Sequence, residues 1–222
     1  MQQFYLKRSD AIEALKNMKS FHDECKSLYH KHGFNLLDNL GRRNIVLSQA
    51  QEKFFADALS KRHDGVINDG RTGQPDIVIQ SLDRELECKL TSRHKGGSIS
   101  FQSDFESLVQ KGSLDYLYVI ADDNFEKFAV LHFQDLTADD YRPLSPGARG
   151  KVAMFKHKGM KKCAVLVGQA VDRNKEHIER LHKKLLNTTI SAAERQRAQK
   201  SLEYWKTTPT SYSFVLEKID GN

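Results

Sequence analysis

The chain has 222 residues, of which 39% are hydrophobic, and a formal net charge of +6, so we expect one large domain or a core with an appended subdomain. No apolar run approaches the roughly 18 residues of a membrane span and no apolar stretch typical of a signal peptide opens the sequence, which excludes a membrane protein and predicts a cytoplasmic one. The three cysteines, Cys25, Cys88 and Cys163, are an odd number without CxxC spacing, so they indicate neither a disulfide framework nor a zinc knuckle and are expected to be free thiols.

The N-terminal part of the chain is predicted to be helical. Apolar residues at helical spacing predict an amphipathic helix from Asp10 to about Lys31. The segment LSQAQEKFFADALSKR predicts a second helix, with Ser48 as its N-cap and with Glu52 on it. A short strand in GVIND is expected next, ending at a turn.

A hairpin and a crossover unit are predicted after that strand. The runs IVI and RELECK should pair as antiparallel strands, with a tight turn at SLDR between them. A Gly96-Gly97 loop then leads into a predicted helix that Gly112 ends. The apolar stripe of this helix consists of Phe101, Phe105, Leu108 and Val109. The run LDYLYVIA predicts a buried strand, with the helix as its crossover connection.

From Phe125 onward, the pattern changes to alternating runs separated by turns. The runs KFAVLHF, KVAMFKH, KCAVLVG and SYSFVLEKI are predicted strands that either widen the sheet or form a smaller one. A helical hairpin is predicted between the last two runs. Its first helix runs from about Lys175 to Leu186, and its second is capped by Ser191, with Glu194 completing a capping box.

The segment PDIVIQSLDRELECK carries the residues with the clearest chemistry. Successive strand side chains point to opposite faces, so Glu87 and Lys89 share one face and Cys88 lies on the other. The hairpin would bring Asp76 beside Glu87. Mg²⁺ prefers oxygen ligands, so Asp76, Glu87 and the main-chain carbonyl of Cys88 form a suitable ligand set. Such an ion would activate water for phosphodiester hydrolysis, and Lys89 would orient the water or stabilise developing charge.

Pro75-Asp76 followed by Glu87-Cys88-Lys89 resembles the PD-(D/E)XK nuclease signature, and the chain length is similar to that of type II restriction endonucleases. The resemblance implies an α/β fold with a restriction-endonuclease-like core, in which a helix with an acidic residue precedes a three-strand meander, a crossover helix and a fourth strand. This order can be traced from Glu52 to about Ala121. The expected architecture is a central mixed β-sheet flanked by helices, with a C-terminal β-rich extension and a helical hairpin.

The resemblance covers residues 52 to about 121, and the predicted elements and the charge distribution indicate an organisation for the whole chain. Residues 1–222 would form a single nuclease domain, with an N-terminal helical segment at 1–47, a catalytic core at 48–122 and a basic region at 123–222 used in DNA binding. By the same analogy Glu52 would contact a water beside the metal, and a solvated helix glutamate is the alternative. Glu85 shares a strand face with Glu87 and competes for the metal role. The alternative for Glu87 and Lys89 is an exposed ion pair on one face of the hairpin that has no catalytic role.

Positive charge is concentrated late in the sequence. Residues 141–207 hold 16 Lys and Arg against 5 Asp and Glu, a net of +11, whereas residues 1–140 carry a net of −4. Such an excess is typical of contacts with a phosphate backbone, and a solvated basic surface is the alternative. These side chains either read bases or contact only phosphates. The candidate DNA-binding residues are Arg142, Arg149, Lys151, Lys156, Lys158, Arg173, Lys175, Arg195, Arg197 and Lys200.

With the resemblance, these features predict a Mg²⁺-dependent type II restriction endonuclease that cuts double-stranded DNA at a specific short sequence. A homodimer is expected by analogy, and a cognate DNA methyltransferase would act on the same sequence without binding the enzyme. The alternatives are a structure-specific repair or junction-resolving nuclease, a non-catalytic nucleic-acid-binding protein and an RNA-processing protein. Neither a Walker A pattern nor a GxGxxG follows any predicted strand, which argues against an ATP-driven or dinucleotide enzyme.

Overall fold

Helices and strands alternate along the chain in the computed structural model, which describes residues 3–69, 71, 74–92, 99–144 and 150–220. The helices are α1 (Arg8–Lys31), α2 (Leu40–Ser60), α3 (Phe105–Lys111), α4 (Lys156–Gly159), α5 (Arg173–Leu186) and α6 (Ala192–Thr207). The strands are β1 (Val66–Ile67), β2 (Ile77–Ile79), β3 (Arg84–Ser92), β4 (Gln102–Asp104), β5 (Leu114–Ala121), β6 (Lys127–Leu136), β7 (Lys151–Ala153), β8 (Cys163–Val167), β9 (Gln169–Asp172), β10 (Tyr212–Val215) and β11 (Glu217–Lys218). The expected Gly96-Gly97 loop and Arg149 lie outside the described residues.

The central sheet has the strand order β1-β2-β3-β5-β6-β11, and β8 also pairs with β6. β3 and β5 run parallel, whereas the other described pairs of this sheet are antiparallel. The parallel pair requires a crossover connection, and α3 lies within it. The chain therefore has an α/β fold with a mixed central sheet flanked by helices, as the sequence predicts.

The core lies between the central sheet and the two long N-terminal helices. All of β5 is buried, because β3 and β6 flank it in the middle of the sheet. Its core partners come from α1, α2 and β3, and they include Leu15, Met18, Phe55, Leu59, Leu86 and Cys88. On the opposite face, the Phe101 ring packs against those of Tyr118 and Phe133. Across the described ranges, no helix is long and apolar enough to cross a lipid bilayer.

The helix that carries Glu52 begins two turns earlier than predicted. Asn39 is its N-cap and accepts a hydrogen bond from the backbone N–H of Arg42, whereas Ser48 lies inside α2 and donates to the Ile45 carbonyl. The predicted cap at Ser48 was wrong because the first turns of α2 bury Arg43 together with Leu47 and leave Ile45 73% exposed, so residue polarity does not follow the buried face there. These turns are helical because Arg43 is fully buried and donates to the Asp122 and Asp123 carbonyls.

The crossover helix is shorter than the predicted one. Gln102–Asp104 forms β4, and α3 begins only at Phe105, with Asp104 as its N-cap accepting from Ser107 N–H. Phe101 precedes β4 and is buried rather than part of a helical stripe, and Val109 is 57% exposed. The stripe was wrong because Phe101 packs against Tyr118 of the sheet, a contact that outweighs helical spacing.

The later runs meet both predicted outcomes. β8 and β11 pair with β6 and widen the central sheet, whereas β4 pairs with β7 in a separate two-stranded sheet. KVAMFKH is only half a strand, since β7 ends at Ala153 and Lys156 begins the short helix α4. SYSFVLEKI is divided into β10 and β11, and β10 pairs with β9.

The chain divides into two compact units. One comprises Met1–Gln169 with Phe214–Asn222 and holds the central sheet; the other is Ala170–Ser213 and holds the predicted helical hairpin. Within the hairpin, Ser191 and Glu194 form the predicted capping box at the start of α6. Arg195 donates to the carbonyls of Leu185 and Asn187, so its guanidinium closes the end of α5.

Candidate active site

The hairpin of β2 and β3 brings the predicted acidic residues together. Its register pairs Ile77 with Leu86, which leaves Asp76 at the start of β2 beside the middle of β3. The Asp76 carboxylate accepts a hydrogen bond of 2.7 Å from the backbone N–H of Cys88. Asp83 lies in the predicted SLDR turn and has the left-handed conformation, with φ of 51°. Residues far apart in the segment therefore converge through backbone pairing and this hydrogen bond to Asp76.

Lys89 lies between the two carboxylates. Its Nζ is 3.3 Å from Glu87 Oε2 and 3.9 Å from Asp76 Oδ2. The carboxylate side chains are only 23% and 24% exposed, and that of Lys89 is 42% exposed. Burial raises the pKa of Glu87, Lys89 opposes this shift, and the Asp76 charge adds to it. The pair is thus a half-buried, charge-coupled group rather than the solvated surface pair that was the alternative.

Glu52 of α2 belongs to the same electrostatic cluster. Gln51, beside it, is fully buried and donates from Nε2 to the Leu117 carbonyl over 3.3 Å, which fixes this part of α2 against the sheet. The pKa of Glu52 is raised to about 7, mainly by burial and then by the Asp76 charge; Lys89 opposes the shift and the Glu87 charge adds to it. The interactions of Glu52 therefore favour a place in the site over a solvated helix glutamate.

The donor chemistry of the site fits a hard divalent cation. Three carboxylates and one ammonium are electrostatically coupled here: burial is the main cause of the raised pKa of Glu52, and the Asp76 and Glu87 charges add to it. In a strand, the N–H and C=O of one residue point to the same side of the strand. The Cys88 N–H donates to Asp76, so the Cys88 carbonyl points to the side of β3 on which Asp76 lies. Within the described ranges, no three Asp, Glu, His or Cys side chains form a group that could hold a metal ion. The available set is accordingly two carboxylates and a carbonyl, completed by water.

Glu85, the competing candidate, is engaged elsewhere. It shares the strand face of Glu87, but its carboxylate accepts a hydrogen bond of 2.6 Å from Lys111 Nζ at the end of α3. This charge-assisted hydrogen bond engages the Glu85 carboxylate with Lys111. Lys111 had not been singled out from the sequence, because only the crossover brings it to β3.

A cleft of about 330 Å³ adjoins Glu87 and Lys89. Its further wall belongs to the two-stranded β4–β7 sheet, which contributes Gln102 and Lys151. Tyr116 and Tyr118 lie directly opposite Glu87 and Lys89 in the parallel pairing and also line it. Sequence reasoning missed both tyrosines, although alternation in LDYLYVIA places them on one strand face.

The predicted DNA-binding residues of the larger unit have different surroundings. Arg142 is exposed, Lys151 lines the cleft, and Arg149 lies outside the described residues. Lys156 is half-buried with its Nζ 5.9 Å from the centre of the Phe101 ring, and burial lowers its pKa. Lys158 donates to the Asp139 carbonyl over 2.7 Å. Among these predicted residues, Lys151 is therefore the one that lines the same cleft as Glu87 and Lys89.

The predicted residues of the helical hairpin also separate into two groups. Arg195 is held by main-chain carbonyls, and Arg173 is 4.0 Å from the Glu176 carboxylate. Lys175, Arg197 and Lys200 are exposed and form no ion pair with any residue that the structure describes. These three cations are the ones that a phosphate backbone can approach without breaking an internal contact.

Comparisons with protein-family models, with curated proteins and with solved structures found no match to this chain.

Proposed function

We propose that this protein is a Mg²⁺-dependent endonuclease that hydrolyses phosphodiester bonds in double-stranded DNA, on a restriction-endonuclease-like core. The observation that carries the proposal is the convergence of Asp76, Glu87 and Lys89 on one hairpin, with Lys89 Nζ within 3.9 Å of both carboxylates. Glu52 joins them from the helix that precedes the meander. The order of α2, β1 to β3, α3 and β5 supports the proposal, because it is the order that the nuclease signature implies.

The residues have distinct roles in this proposal. Asp76, Glu87 and the Cys88 carbonyl would hold Mg²⁺, with the Cys88 N–H fixing the Asp76 carboxylate in place. When bound, the ion polarises the phosphate and lowers the pKa of a coordinated water. Lys89 Nζ orients the attacking water and stabilises the negative charge that develops on the phosphate oxygens. Glu52, with its pKa near 7, accepts a proton close to neutral pH.

We further propose the restriction type, acting as a homodimer in which each site cuts one strand, with double-stranded DNA as substrate. A cognate methyltransferase would protect the same sequence. The exposed cations of the helical hairpin, Lys175, Arg197 and Lys200, support DNA binding outside the catalytic site. Contacts of this kind position the duplex by its phosphates, while specificity requires contacts to bases.

Sequencing of fragment ends tests the function. Long unmodified phage DNA is incubated with the protein and Mg²⁺, alongside an Asp76→Asn variant as the matched control. Ends that share one short sequence support a restriction endonuclease, whereas cleavage of only branched or mismatched duplexes indicates a structure-specific nuclease. Equal fragmentation by the wild type and the Asp76→Asn variant, or no cleavage of any DNA, contradicts the proposal.

A further inference from the structure

The cleft beside Glu87 and Lys89 has the dimensions of a small-ligand site. Its volume of about 330 Å³ is near the lower end of the roughly 300–1,000 Å³ that such sites occupy. The space admits about one nucleotide unit and excludes a duplex. Ser100, Gln102 and Ser107 contribute hydroxyl and amide groups to its lining, and side chains of these types donate hydrogen bonds to phosphate oxygens.

The wall opposite β3 is held at a fixed distance from the catalytic residues. Tyr118 donates to the Gln102 carbonyl over 2.8 Å and accepts from the Gln102 N–H over 3.0 Å. The hydroxyl of Tyr116 is hydrogen-bonded to that of Ser103. Both tyrosines are 3% exposed, so their positions are set by packing. The central sheet thereby fixes the β4–β7 sheet before any substrate binds.

Lys151 contributes a cation to this wall. Among the described residues that line the cleft, Lys89 and Lys151 are the basic ones, and Lys89 is already paired with Glu87. Lys151 is exposed and forms no ion pair with a described residue. Asp104, its partner in the β4–β7 register, uses one carboxylate oxygen to cap α3 at Ser107 N–H. The Lys151 ammonium is therefore available to an incoming anion.

We propose that this cleft receives the DNA strand that is cut, with Lys151 binding the phosphate next to the scissile one. The inference rests on the proposed function for the identity of the scissile phosphate, and it adds the path of the strand. Because the cleft admits a single strand, each site engages one strand of the duplex. Asp104, on the same wall, repels that phosphate and limits affinity.

Duplex binding measured over a series of salt concentrations tests the cleft, with Ca²⁺ replacing Mg²⁺ so that cleavage does not intervene. Lys151→Ala should weaken binding about tenfold, the loss expected for one charge-assisted hydrogen bond. It should also reduce the slope of log affinity against log salt by about one. Lys151→Arg should retain both quantities. Asp104→Asn keeps the α3 cap, because asparagine caps as well as aspartate. It should tighten binding, because it removes the charge that repels the phosphate. Lys26→Ala, which removes an exposed ammonium from α1, is the charge-matched control.

Two outcomes overturn the inference. One is that Lys151→Ala binds the duplex with the same affinity and the same salt slope as the wild type. The other is that the wild type does not bind the duplex. The Asp104→Asn variant guards against a folding defect, because its expected effect is a gain. Binding that depends on Lys151 without any Mg²⁺-dependent cleavage contradicts the proposed function and supports the cleft as a strand-binding site. Cleavage that is insensitive to Lys151 rejects the cleft and leaves the proposed function standing.

Discussion

The backbone N–H of Cys88 donates a hydrogen bond to the Asp76 carboxylate over 2.7 Å, so the strand that carries Glu87 and Lys89 also fixes the first acidic residue. Asp76→Asn tests this relationship, because an amide oxygen accepts the same hydrogen bond without the charge. We expect a melting temperature close to that of the wild type and a loss of Mg²⁺-dependent cleavage of about a hundredfold or more. Thermal unfolding and single-turnover cleavage check the two parts. Cleavage at the wild-type rate would show that Asp76 holds no metal.

Mg²⁺ should stabilise the folded protein through the same carboxylates. A ligand that binds only the native state raises the melting temperature as its concentration rises, so the wild type should respond to Mg²⁺. Glu87→Gln should respond much less. Glu85→Gln is the matched control, since Glu85 shares the strand face but is paired with Lys111. Thermal unfolding over a Mg²⁺ series measures all three proteins, and equal responses in the two variants would place the ion elsewhere.

The Glu52 carboxyl predicts a pH dependence of stability. Its pKa in the folded chain is raised from the ordinary 4.5 to about 7, so between these values the folded protein holds a proton that the unfolded chain has lost. The contribution to stability is greatest below pH 4.5 and is lost as the pH rises through about 7. In chelator, Glu52→Gln should therefore gain melting temperature relative to the wild type between about pH 5 and pH 8.

Saturating Mg²⁺ should diminish this pH dependence, because the positive charge of the metal offsets the Asp76 and Glu87 charges that add to the raised pKa of Glu52. The contradicting result is a difference in melting temperature between Glu52→Gln and the wild type that is the same at about pH 5 and pH 8 in chelator. It would show that Glu52 does not belong to the carboxylate cluster.

Arg195 and Lys200 lie on the same helix, α6, but we predict different defects for their variants. Arg195 donates to the Leu185 and Asn187 carbonyls, so Arg195→Ala should destabilise the hairpin by about 1 kcal/mol. Lys200 is exposed without an ion pair to a described residue, so Lys200→Ala should weaken duplex binding and leave stability unchanged. Chemical denaturation and binding isotherms separate the two effects. A loss of affinity without a loss of stability in Arg195→Ala would reverse the assignment.

Sequence alone predicted the site best where geometry is local. Strand alternation places Glu87 and Lys89 on one face, and the short turn places Asp76 beside them; both follow from the period of a β-strand. The start of α2 was missed because Arg43 is buried by contacts with the Asp122 and Asp123 carbonyls, about 80 residues away in the sequence. Such a contact leaves no periodic signal.

The cleft wall illustrates the same limit. In the sequence, Phe101 has the spacing of a helical apolar stripe. In the structure its ring centre is 4.7 Å from that of Tyr118, and the residues that follow it form β4 instead of a helix. The pairing of β4 with β7 joins residues about 50 positions apart, so only the tertiary structure brings Lys151 to Glu87. Long-range pairing of short strands carries little intrinsic propensity, which is why local patterns did not predict it.

Digestion of long unmodified phage DNA by the wild type, Lys89→Ala and Lys26→Ala tests the central claim most directly. Each protein is incubated with Mg²⁺, and duplex binding is measured in parallel with Ca²⁺. We expect cleavage by the wild type and by Lys26→Ala, and binding without cleavage by Lys89→Ala, because the ammonium between Glu87 and Asp76 acts on the attacking water. Cleavage by Lys89→Ala at the wild-type rate would contradict the account.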